Sequence, residues 1–95
     1  MTKIKHDKHN HDEESARAAR AAHARMMRTD YSGGTMYVYF APYRIEAFHE
    51  DDPIPAGWAL AWPERVPGAL DAAGLVAWFA ARSARVPYLI DKKGL

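Results

Sequence analysis

His6, His9 and His11, interleaved with Asp7 and Asp12, bring imidazole and carboxylate groups of the kind that zinc, nickel or copper accepts into one short span. A structural metal site draws its ligands from rigid elements, and His6-x-x-His9-x-His11 matches no established ligand spacing. The reading is a solvated tail, with no metal and no cofactor. His49-Glu50-Asp51-Asp52 could supply a general base or hold a divalent cation, because clustered carboxylates raise one another's pKa. It lacks the helical His-Glu-x-x-His arrangement, and four polar residues ahead of Pro53-Ile54-Pro55 read as a solvated turn. Ser15, Ser32 and Ser83 have no Gly-x-Ser-x-Gly context, and Gly33-Gly34 precedes a strand pattern rather than a helix, as a phosphate loop would not. With no catalytic constellation, the chain is not expected to be an enzyme.

Two further sets of residues could bind without reacting. Between Thr35 and Phe48 the sequence carries large side chains on both faces of a strand: Met36, Val38 and Phe40 point one way, Tyr37 and Tyr39 the other. Together with Tyr31, Tyr43, Trp58 and Trp62 they make a dense aromatic set. Tyr and Trp offer large contact area with few rotatable bonds, so Tyr37, Tyr39, Tyr43, Trp58 and Trp62 are the candidate protein-interface residues. The second set is Arg17, Arg20, Arg25 and Arg28, which fall within one arc of a helix and, with Lys3, Lys5 and Lys8 upstream, could track a phosphate backbone. Acidic residues of another subunit, such as Asp51, Asp52 or Glu64, are the competing partners for that arc.

The elements that must position these residues follow from pattern. Residues 1–11 are polar and aperiodic and read as a disordered tail, leaving 12–95 as a single domain. From Asp12 to Arg28 the segment is rich in alanine, begins with acids and ends in arginines, which suits a helix capped at Asp12. Ala18, Ala19, Ala22 and Met26 lie opposite the arginines, a smooth face with little area to bury. Strands are expected at 35–41 and 43–48, separated by a turn at Ala41-Pro42. Trp58 to Trp62 reads as a third, with Trp58, Leu60 and Trp62 on one face. A helix is expected over 69–85, with Leu75, Trp78, Phe79 and Val86 on one side and Pro87 as its stop. Tyr88 to Ile90 reads as a last strand, placed by a right-handed crossover. The fold class is therefore α+β: one small sheet of three to four short strands, an N-terminal Ala/Arg-rich helix and a longer C-terminal helix.

Composition bounds the rest. The 95 residues suit one modest core, and the absence of cysteine excludes disulfides and thiolate sites and fits a reducing cytoplasm. No run approaches the roughly 18 apolar residues that a membrane span needs, so the chain reads as soluble and unexported. The net charge of +1 is unevenly placed: seven basic and four acidic residues lie through Arg28, against six basic and eight acidic beyond it. These features lead to a non-catalytic protein-binding module, expected to be a homodimer. Small proteins of this type include modulators carried by phages and other mobile elements, among them inhibitors of host proteins. The alternative is a nucleic-acid-binding regulator that uses the arginine arc.

Overall fold

Alanine and serine at every third or fourth position dictate how the first helix sits. In the computed structural model, which describes the backbone of residues 3–86 and the side chains of 13–86, helix α1 runs Lys3–Met26. Ser15, Ala18, Ala19 and Ala22 are buried on one stripe while Arg17, Arg20 and Arg28 are exposed opposite. The helix begins nine residues before Asp12, so 3–11, expected as a disordered tail, continue it. No Gly or Pro interrupts Lys3 to Asp12, and extending a helix already nucleated by the alanine segment costs little. The side chains of His6, His9 and His11 lie outside the described part.

After the glycine link come β1 (Met36–Ala41), β2 (Arg44–His49), β3 (Ala59–Leu60) and α2 (Ala72–Ser83). The three strands form an antiparallel sheet in the order β2-β1-β3. Both helices pack on the same side of it, which establishes the α+β architecture read from the sequence. The C-terminal helix, expected to be the longer, is the shorter at 12 residues against 24, because α1 extends back to Lys3 and Asp71 delays the start of α2. The expected strand at Tyr88 to Ile90 and its crossover lie outside the described residues.

Pro42 and Tyr43 form the two-residue turn of the first hairpin, joining Ala41 to Arg44. The usual hairpin turns need a positive φ at their first central residue, which a proline ring forbids. The turn therefore places its positive φ on Tyr43, at 62°, a conformation that costs a side chain about 1–2 kcal/mol.

Core-facing residues alternate along the strands: Met36 and Val38 from β1, Ile45 and Ala47 from β2. Against them lie the α1 stripe and Leu75, Phe79 and Val86 from α2 and its end. The Ser15 hydroxyl meets the Ser83 hydroxyl at 3.0 Å, and Ser83 donates to the carbonyl of Phe79 at 2.7 Å. Ser83 having spent its proton there, Ser15 is the donor between the helices. This seam lets the two backbones approach closely and satisfies both buried hydroxyls. Both serines are fully buried in this seam. Helix α2 starts later than 69 because Asp71 caps it, accepting the Gly74 N–H at 2.8 Å.

The outer edge of β2 is capped by α1. In this register Ile45, Ala47 and His49 turn their peptide groups away from β1. Glu14 accepts the Ile45 N–H at 3.2 Å, Arg17 reaches the Ile45 carbonyl at 3.4 Å, and Asp52 accepts the His49 N–H at 2.8 Å. Two of the three positions that another strand could read are thereby occupied.

Candidate functional site

With both helices on one side, the other side of the sheet is left to its own side chains. The register puts Tyr37, Tyr39 and Ala41 of β1, Arg44, Glu46 and Phe48 of β2, and Leu60 of β3 on that outer face. The aromatic rings lie across one another rather than standing in solvent. Tyr39 meets Phe48 edge to face at 5.6 Å, Phe48 meets Trp58 at 5.5 Å, and the Arg44 guanidinium lies 5.5 Å from the Trp58 ring centre. Each ring is half-buried by its neighbours, and Leu60 is 46% exposed at the end of the row. The result is a mostly apolar surface with one cation, Arg44, and one anion, Glu46, on it.

Of the five residues expected at an interface, Tyr37, Tyr39 and Trp58 lie on this face, and Tyr43 sits half-buried at the hairpin turn beside it. Trp62 does not belong with them. It is 3% exposed in the core, edge to face with Trp78 at 5.7 Å and Phe79 at 6.0 Å. The expected strand from Trp58 to Trp62 would have kept Trp58, Leu60 and Trp62 on one face, but regular pairing ends at Leu60. Ala61 N–H bonds the Val38 carbonyl and Val66 N–H bonds the Met36 carbonyl, both at 2.8 Å. The chain thus spends five residues, Pro63 among them, where β1 advances by two. The excess folds Trp62 under the sheet. Phe48 and Leu60 are the members that sequence reasoning passed over. Phe48 was visible in the alternation Arg44, Glu46, Phe48.

The arginine arc is largely spoken for. Arg17 pairs with Glu14 at 2.6 Å, Arg25 grips Asp52 with two bonds of 2.7 and 3.1 Å, and Arg28 lies 3.4 Å from Asp30. Asp52, considered as a partner in another subunit, meets Arg25 within the same chain. Arg20 alone of the four has no ion pair among the described residues. The bond from Glu14 raises the Arg17 pKa, and that from Asp52 raises the pKa of Arg25.

His49-Glu50-Asp51-Asp52 closes a hydrogen-bonded turn at the end of β2. His49 Nε2 lies 2.8 Å from the Gly33 carbonyl, and its Nδ1 accepts the Asp51 N–H at 3.1 Å, so both ring nitrogens serve structure. Asp52 is held below the usual carboxylate range, first by the Arg25 guanidinium and then by the His49 N–H. A lowered pKa means that the contribution of Asp52 is full above the unfolded value near pH 4 and is lost as pH falls through its folded value. Asp52→Asn should therefore cost on the order of 1 kcal/mol at neutral pH, since the pair is partly exposed, and progressively less as pH falls through the lowered folded pKa of Asp52. Urea melts of both chains across this range would show the two curves converging in acid.

No group of three or more metal-ligating side chains occurs among the described residues, and no described helix is long and apolar enough to cross a membrane. The chain matches no family model, no curated protein and no solved structure.

Proposed function

We propose that the chain is a non-catalytic protein-binding module that works by laying the outer face of its sheet against another protein. The observation that carries this reading is the helix-free row Tyr39, Phe48, Trp58 and Leu60, with Tyr37 beside it. Half-exposed aromatic side chains, held in place by one another, give large contact area at little entropic cost on binding. A contiguous apolar surface of this kind on a small domain marks an interaction site. Ser15, Ser83 and both nitrogens of His49 are committed to internal bonds, which supports binding over catalysis. Three of the four arginines are neutralised by acids, which leaves the nucleic-acid alternative a weaker electrostatic basis. On this reading the module acts in the cytoplasm and occupies its target without altering it chemically, as small inhibitors carried by phages and other mobile elements do.

The test uses Leu60→Glu and Tyr37→Glu, at positions the core does not need. Each immobilised variant is compared with the wild type in an extract of source cells, after a thermal melt has shown the fold intact. A protein retained by the wild type and lost by both variants is the expected result. Equal retention by all three would refute the proposal, as would retention only of polynucleotide that Arg20→Gln abolishes at about 50 mM salt.

A further inference from the structure

Arg44 and Glu46 stand two residues apart on the outer face, and neither has an ion pair among the described residues. Arg44 rests on the Trp58 ring instead. Two opposite charges on one face of one strand, with an aromatic row beside them, form a pattern complementary to itself. Turned over about a two-fold axis that lies between two such faces and crosses the strands at the level of Ile45, a second copy sets its Glu46 against Arg44 and its Arg44 against Glu46. The same operation sets Tyr39 against the small Ala41 of the other copy, because Tyr39 is level with Glu46 and Ala41 with Arg44. An isologous contact needs only this self-complementarity.

We infer that the outer face binds a second copy of this chain, sheet against sheet, and that the reciprocal Arg44 and Glu46 pairs fix its register. The inference rests on the protein-binding reading of the same face and names its occupant. Pairing of edges is the competing geometry for a three-stranded sheet, and here it is obstructed. Glu14, Arg17 and Asp52 occupy the peptide groups of Ile45 and His49 at the β2 edge, while β3 at the opposite edge is two residues long. Strands of six residues and a width of three give a face of roughly 20 by 14 Å, below the roughly 800 Å² per partner of a standard interface. The dimer is consequently a weak one, populated by mass action.

Charge exchange tests both the surface and the register. Light scattering and sedimentation from about 1 to 500 µM should show the mass rising from 10.7 kDa toward twice that value. Arg44→Glu or Glu46→Arg alone would place like charges opposite each other twice, and each should raise the dissociation constant at least tenfold. The chain carrying both changes should return to near the wild-type constant. Because Glu46 lies within electrostatic range of Arg17, the melting temperature of every variant is measured alongside. Recovery of the dimer by the double exchange is a result that a purely structural role cannot produce. A wild type that stays monomeric over this range would overturn the inference, and so would a dimer indifferent to both single reversals. Retention of a different protein that Leu60→Glu abolishes would in that event leave the binding reading itself standing.

Discussion

Phe79→Ala should lose about 3–5 kcal/mol of stability, the range for deleting a fully buried phenyl ring whose surroundings cannot collapse into the space. Phe79 is fully buried, and its ring is gripped edge to face by Trp62 at 6.0 Å and Trp78 at 5.5 Å. Those two indoles are large and flat and are themselves held, Trp62 by its course under the sheet and Trp78 by Arg82 lying 4.4 Å over its ring. Neither can swing into the void. A chain of this length has about 5–14 kcal/mol in all, and each kcal/mol is worth some 4–8 °C, so the melting temperature should fall by roughly 12–40 °C. A drop of less than about 5 °C would mean that the aromatic triad is not the keystone of the core. Leu60→Ala, a smaller apolar deletion on the exposed row, should stay within about 0.5 kcal/mol of the wild type.

Gly34→Ala is the second large effect, expected at about 2–4 kcal/mol for a single methyl group. Gly34 has φ near 97°, and a Cβ there would overlap the His49 ring. That ring is pinned by the Gly33 carbonyl, the Asp51 N–H and the edge of Tyr31, whose centroid lies 5.6 Å away. Gly33, with φ near 87°, has open space around its own missing Cβ, so Gly33→Ala should cost only the backbone strain of about 1–2 kcal/mol. The overlap can be isolated with His49→Ala. If the clash is the cause, the double variant with Gly34→Ala should be more stable than the sum of the single changes predicts. Simple additivity would assign the loss to the backbone alone.

Periodicity made the hairpin, the buried stripe of α1 and the packing face of α2 legible, because each is a repeat of apolar side chains read against a known spacing. Leu75, Trp78, Phe79 and Val86 face one way in the folded chain as their spacing required. Trp62 was misplaced because alternation assumes that a strand continues. Nothing within Trp58-Ala-Leu-Ala-Trp62 announces that pairing stops after two residues; the cause is how residues 61–66 bond to β1, a contact distant in sequence. The early start of α1 escaped notice because histidine-rich polar sequence is a poor helix initiator, though not a helix breaker. The helix-free face was half legible: the two-sided strand signalled that one face would go uncovered by a helix, but which face it would be depends on where α1 and α2 pack. The bonds from Glu14 and Arg17 to Ile45 could not be read at all, since they join residues about thirty apart through backbone atoms that carry no sequence signature.

The capping of β2 by α1 has a meaning in time as well as in space. A ribosome makes Glu14 and Arg17 before it makes Ile45, so the groups that blunt this strand already exist when the strand appears. The other flank of the hairpin has no such precedence. Leu60, which pairs with Tyr39, is translated eleven residues after His49 completes β2, an interval of roughly 0.5–2 s at ordinary elongation rates. During that interval the hairpin, with Tyr37 and Tyr39 at its centre, has one guarded flank and one open flank. Between the completion of β2 and that of β3 the nascent hairpin therefore presents the far edge of β1 unpaired, the state in which a strand can pair with another chain.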